Sequence, residues 1–83
     1  MNKVLVELYV PKIEKKYEIF LPVSKQVRTV IRLLVKSLNE LTNQEFPLDY
    51  KAILCDKFTG NIFDLNKTIK ELGIMNGAKL LLI

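Results

Sequence analysis

The hydrophobic pattern of this 83-residue chain changes its period at Pro22, and that change limits the folds open to it. Apolar residues alternate with polar ones over residues 4–10 and 15–21, as in strands that bury one face. Over residues 25–41 they recur every three to four positions, which predicts one amphipathic helix. The core must therefore lie between a sheet and one main helix.

The first two strands are predicted at residues 4–10 and 15–21, with only Pro11 to Glu14 between them. So short a link predicts an antiparallel hairpin. Glu7 marks the solvated face of the first strand, so we expect the opposite face to be buried. The residues predicted to face inward are Val4, Val6, Leu8, Val10, Tyr17, Ile19 and Leu21.

The second half of the chain predicts shorter elements. The helix is placed at residues 25–41, with Ser24 as a candidate N-cap and a start up to two residues later as the alternative. A third strand is expected at 50–55, with its inward face undecided, and a short fourth strand at 62–63. A helical turn at 68–72 should end at Gly73, before a last strand at 79–83.

The composition disfavours catalysis. The chain contains no histidine and one cysteine, Cys55, so the usual metal clusters cannot form, and a nucleophile–base pair would need lysine as its base. Its three glycines are explained by turns and helix ends, and no phosphate-binding loop is present. We therefore expect a single non-enzymatic domain over residues 1–83, without cofactor or metal. With no signal peptide or membrane-spanning stretch, we expect it to be soluble and cytoplasmic.

The predicted order of elements resembles the β-grasp fold of ubiquitin over the whole chain. The segment from Thr68 to Ile74, followed by Asn76-Gly77, Leu80 and Leu82, resembles the YukD-like family of bacterial ubiquitin-fold proteins. Leu21-Pro22 and the start of the helix resemble that family's strand-to-helix passage. The resemblance implies an α+β, ubiquitin-like β-grasp fold, with a mixed four- to five-stranded sheet packed on one main α-helix.

The same resemblance implies a cytoplasmic accessory or regulatory part of the type VII secretion system of Gram-positive bacteria. The implied partner is the membrane-bound FtsK/SpoIIIE-type ATPase of that system, which would hold the protein at the membrane. Ubiquitin-type modifiers and sulfur carriers need a terminal Gly-Gly. The sequence ends at Ile83, so we expect neither conjugation to targets nor sulfur transfer.

The outer face of the predicted helix carries a line of cations. Arg28, Arg32 and Lys36 recur at every fourth residue, and we call these three the basic strip. No acidic residue occurs between Glu18 and Glu40, so Arg28 and Arg32 have no acidic i±4 residue within the helix, and only Lys36 has one, Glu40. The strip is either a solvated surface or a docking site for an acidic protein surface, with anionic lipid as a further possible partner. Binding of nucleic acid through this strip is the alternative function.

A second candidate surface is the outer face of the sheet. The side chains predicted to meet there, which we call the apolar patch, are Leu5, Tyr9, Phe20, Leu81 and Ile83. The open sheet face is the usual recognition surface of ubiquitin-like proteins. Scattered exposed residues without a role and a homodimer through the patch are the other interpretations. The sequence does not decide between the basic strip and the apolar patch.

Overall fold

The computed structural model describes residues 2–83 and contains four strands and one α-helix within that range. The elements in chain order are β1 (Lys3–Val10), β2 (Lys15–Pro22), α1 (Val27–Leu41), β3 (Leu54–Asp56) and β4 (Lys79–Leu82). The sheet order is β2-β1-β4-β3, with β1 antiparallel to β2, parallel to β4, and β4 antiparallel to β3. This mixed sheet packs against α1, and the predicted ubiquitin-like β-grasp fold is confirmed.

The hairpin between β1 and β2 follows the alternation in the sequence. Pro11 begins a single 3-10 turn, and Glu14 takes a positive φ of 52° while donating its N–H to the Pro11 carbonyl. The pairing runs from Lys3 opposite Pro22 to Val10 opposite Lys15. This register places Val6, Leu8 and Val10 in the core, as predicted, with Phe20 on the outer face.

The core is one cluster of apolar side chains between the sheet and α1. The helix contributes Val27, Val30, Ile31, Leu34, Val35 and Leu38, all buried. Three further buried side chains come from connecting segments: Phe46, Ile69 and Ile74. No helix within residues 2–83 has the length and apolar character needed to cross a bilayer.

The start of α1 differs from the N-cap prediction. The helix begins at Val27, the later of the two predicted starts, and Gln26 rather than Ser24 is its N-cap. Gln26 makes no side-chain cap. Instead, the N–H groups of Val27 and Arg28 donate to the carbonyls of Lys67 and Leu65, at 2.8 and 3.2 Å. A distant loop therefore satisfies donors that a helix start leaves unpaired.

The predicted third strand at 50–55 is wrong over residues 50–53, because β3 spans only Leu54–Asp56. A turn at Asp49 occupies the preceding residues. The Asp49 carboxylate accepts the Lys51 N–H at 3.0 Å, and the Asp49 carbonyl accepts the Ala52 N–H at 3.3 Å. When an Asp carboxylate accepts a hydrogen bond from the backbone N–H two residues later, that N–H is no longer available for strand pairing.

The open register of the third strand is now decided. Leu54 joins the core and pairs with Leu82, while Cys55 lies on the other face opposite Leu81 and is also buried. The predicted short strand at 62–63 is wrong as a strand: it is reduced to one isolated bridge between Cys55 and Ile62. The sheet therefore has four strands in the described part of the chain.

The helical turn expected at 68–72 is present as a single turn. The Leu72 N–H donates to the Thr68 carbonyl, and Gly73 follows with a φ of +69°. The Thr68 hydroxyl accepts the Glu71 N–H while the Glu71 carboxylate accepts the Thr68 N–H. This reciprocal capping box stabilises the turn that leads back to β4.

Candidate partner-binding surfaces

The basic strip lies on the solvent side of α1. Arg28, Arg32 and Lys36 are all exposed, because the opposite face of the helix is buried in the core. The Arg28 guanidinium donates a hydrogen bond to the Asn66 side-chain oxygen, which fixes its direction. Across residues 2–83, the only ion pairs are those of Glu7 on the sheet, so none of the three cations of the strip is ion-paired with a carboxylate. The strip therefore presents uncompensated positive charge.

The structure places a groove beside two members of this strip. Arg28, Ile31 and Arg32 of α1 form one wall, and residues 50–54 with 62–65 form the rest of a concavity of about 270 Å³. Lys36 lies one helical turn further along and does not line it. The groove is not predicted from the sequence, because residues 50–53 were expected to form a regular strand. The Pro47-Leu48-Asp49 sequence was the available turn signal.

Backbone hydrogen bonds hold the walls of the groove in place. Ile53 exchanges two hydrogen bonds with Ile83, at 2.6 and 2.9 Å. Phe63 donates its N–H to the Leu54 carbonyl at 3.1 Å. The Leu65 carbonyl accepts the N–H of Arg28 on α1. The concavity is thus built on paired backbone, and its shape is set before any partner arrives.

The rim of the groove is unusually apolar for a solvent-facing surface. Tyr50, Ile62 and Leu65 expose 51, 68 and 45% of their area, and Ile53 exposes 39%. Single exposed apolar side chains are normal on a protein surface. Four of them around one concavity, with two arginines on the facing wall, are typical of a recognition surface.

The apolar patch of the outer sheet face is divided by charge. Cross-strand pairing brings Leu5 against Phe20, and separately Tyr9 against Leu81. The row between these two pairs contains Glu7, with Glu18 and Lys79 as its cross-strand neighbours. Ile83 lies beyond β4, beside Ile53. The pair of Leu5 and Phe20 and the pair of Tyr9 and Leu81 therefore share one face but are separated by a charged row.

Ionic contacts occupy much of this face. The Glu7 carboxylate accepts a hydrogen bond from the Lys79 ammonium and lies 3.9 Å from that of Lys16. The Lys79 hydrogen bond is the main reason that the pKa of Glu7 is lowered from its usual value. The Lys57 ammonium lies 4.3 Å from the centre of the Tyr9 ring, within cation–π range. The Tyr9 ring is therefore already in contact with a cation of the same chain.

Cys55 has a structural environment. It is 3% exposed and pairs with Leu81 on the outer side of the sheet. Burial raises the pKa of its thiol, with a smaller contribution from the charge of Asp56. A reactive cysteine needs a lowered pKa and access to solvent. Both features point to the predicted role as a small buried apolar side chain.

Comparison with known proteins gives structural matches only. No protein-family model matches the sequence, and no curated protein matches it. The structure is similar to the ubiquitin-like domain of EccD1 of the Mycobacterium tuberculosis type VII secretion system, with a TM-score of 0.75 and 16% identity. This match covers 100% of this chain and 99% of that domain.

Two further similarities point to the same group of structures. The EccD5 ubiquitin-like domain from Mycobacterium xenopi matches with a TM-score of 0.81 and 19% identity, covering 100% of this chain and 94% of that one. A chain of the MycP5-free ESX-5 inner membrane complex matches with a TM-score of 0.83 and 18% identity over 100% of this chain, but only 21% of its own length. The TM-scores establish the shared ubiquitin-like fold. Because the identities are this low, function has to be argued from the surface.

Proposed function

We propose that this chain is a non-catalytic, ubiquitin-like protein-binding module of a bacterial type VII secretion machinery. It acts by docking on a protein of that machinery at the cytoplasmic side of the membrane. It is not conjugated to targets. The FtsK/SpoIIIE-type ATPase of the system is the partner we propose first, and the YukD-like family is the proposed relationship.

One observation carries this proposal: the chain matches the EccD1 and EccD5 ubiquitin-like domains over nearly their whole lengths. The resemblance of residues 68–82 to the YukD-like family supports it from sequence alone. The surface supports binding, since the basic strip has no internal carboxylate partner and lies beside an apolar groove. The side chains that would bind are on one face of α1 and the segments next to it.

A pull-down with the cytoplasmic part of the secretion ATPase from the same organism tests the proposal. We expect the wild-type protein to capture the ATPase, and the Arg28→Glu, Arg32→Glu, Lys36→Glu triple variant to lose most of the capture. The matched control is a triple variant with the same change in net charge on other surfaces: Lys12→Glu, Lys15→Glu and Lys70→Glu. The proposal fails if the wild-type protein captures no component of the machinery and deletion of its gene leaves export intact.

The alternative function, binding of nucleic acid through the basic strip, predicts a nucleic-acid ligand instead of a protein partner. Such binding should appear at about 50 mM salt and weaken steeply as salt rises, because counterions are released. The apolar rim beside Arg28 and Arg32 favours a protein partner, since a backbone-phosphate site would need cations there instead. A gel-shift titration with single- and double-stranded DNA separates the two hypotheses.

A further inference from the structure

We propose that the groove between α1 and residues 50–54 binds a short segment of a partner protein in which an apolar side chain is flanked by carboxylates. The proposal deepens the proposed function and rests on it for its setting in the secretion machinery. It assigns the contact to the groove rather than to the basic strip as a whole.

The interior of the groove fits an apolar anchor. Ile31 and Leu54, both buried, lie at its base, and the half-buried side chains of Ala52 and Phe63 continue the apolar lining. Its volume of about 270 Å³ lies just under the roughly 300 Å³ at which small-molecule sites begin. A few side chains of a peptide fit this space better than a cofactor. Burying one aliphatic or aromatic side chain there would supply the central contact of the interface.

The charge around the groove selects the flanking residues. Arg28, Arg32 and Lys51 all line it, and none of them forms an ion pair with a carboxylate of residues 2–83. The two carboxylates in the bordering segments, Asp49 and Asp64, each accept a backbone N–H within their own turn. Three cations are therefore free to meet acidic groups of a partner.

The arginines favour carboxylates of a peptide in particular. A guanidinium has a planar set of donors that matches a carboxylate with two parallel hydrogen bonds. Arg28 is already oriented by Asn66, so less side-chain freedom is lost when a partner binds. The combination of an oriented Arg28, the neighbouring Arg32 and an apolar interior is complementary to an acidic, apolar segment. Nucleic acid would satisfy the cations and leave the apolar rim exposed.

The proposal is tested with a phage-displayed library of random peptides selected on the wild-type protein. Peptides that are enriched are synthesised with a fluorescent label, and their affinities are measured by anisotropy. We expect enrichment of Asp and Glu next to Leu, Ile, Met or Phe. We also expect the affinity to fall by about tenfold or more in Arg32→Glu and in Leu65→Asp, because one removes an ionic contact and the other the apolar rim.

Two controls distinguish the groove from the strip and from general charge. Lys36→Glu changes the same helix face outside the groove, and Leu41→Asp changes a 67% exposed leucine at the far end of α1. Both should bind the selected peptides within about threefold of the wild-type protein, since neither side chain lines the groove. A thermal melt of each variant confirms folding, and Ile62→Asp, at a 68% exposed position, replaces Leu65→Asp if that variant unfolds.

The proposal is overturned if the selected peptides show no acidic enrichment, or if Arg32→Glu and Leu65→Asp bind them like the wild-type protein. It is also overturned if Lys36→Glu weakens binding as much as Arg32→Glu, or if a single-stranded DNA oligonucleotide displaces the peptides at low concentration. The ATPase pull-down is a separate measurement. Capture that persists in the groove variants rejects the groove and keeps the proposed function. Peptide binding by a wild-type protein that captures no component of the machinery, with export intact after gene deletion, rejects the proposed function and keeps the groove.

Discussion

Replacing Phe46 by alanine should remove a large part of the stability of the protein. The side chain is 3% exposed and belongs to the core cluster. Its backbone is held on both sides, because the Thr42 hydroxyl accepts the Phe46 N–H at 2.9 Å and Asn39 donates to the Phe46 carbonyl at 2.7 Å. The segment therefore cannot easily collapse into the space that the ring leaves.

The expected loss follows from that geometry. Phe→Ala changes in cores cost about 3–5 kcal/mol, and more where the surroundings cannot relax. At about 4–8 °C per kcal/mol for a domain of this size, a loss of about 3 kcal/mol lowers the Tm by roughly 12–24 °C. A domain of 83 residues has a free energy of unfolding of roughly 4–12 kcal/mol. Phe46→Ala should therefore remove a large fraction of the free energy of unfolding.

Urea unfolding followed by far-UV circular dichroism measures this loss. Phe58→Ala is the matched control, because Phe58 is 75% exposed and its truncation should change the free energy of unfolding by less than about 0.5 kcal/mol. Phe46→Leu should be less destabilising than Phe46→Ala, because it keeps most of the apolar volume. A loss below about 1 kcal/mol in Phe46→Ala, or equal losses at both phenylalanines, would refute the packing argument.

Two further predictions concern ionisable groups on the sheet. Because Lys79 lowers the pKa of Glu7 below its usual 4.5, the stability that this contact contributes is present above about pH 4.5 and is lost as the pH falls through the lower folded-state pKa. A carboxyl NMR titration should show the Glu7 midpoint rising in Lys79→Met, and an unchanged midpoint would contradict this. The thiol of Cys55, buried and with a raised pKa, should react with Ellman's reagent far more slowly in the native protein than in urea. Equal rates in the two conditions would disprove its burial.

The prediction from sequence was most accurate where neighbouring residues decide the structure. Alternation in β1 and β2 assigned the inward face of the hairpin, and Phe20 was correctly placed outside. The helical period of residues 27–41 identified the buried face of α1 and, by exclusion, the exposed positions of the basic strip. These patterns depend on the period of a strand or helix, which is a local property of the backbone.

The candidate site was only partly predictable. The sequence identified Arg28 and Arg32 as exposed cations, but it gave no reason to place them beside Tyr50, Ile62 and Leu65. Those residues are 18 or more positions away along the chain, and their approach depends on turns and on pairing between β3 and β4. The division of the apolar patch likewise appears only once the register of β1 and β4 is known.

By itself, then, the sequence determined the hairpin of β1 and β2, the main helix and the faces that these elements bury. Tertiary structure decided where α1 begins, because the carbonyls of Leu65 and Lys67 accept its first N–H groups. It also brought Phe46 into the core and turned residues 50–53 into the wall of a groove. The physical reason is the same in each case: these features depend on hydrogen bonds and packing between residues far apart in the chain, which a local hydrophobic period cannot encode.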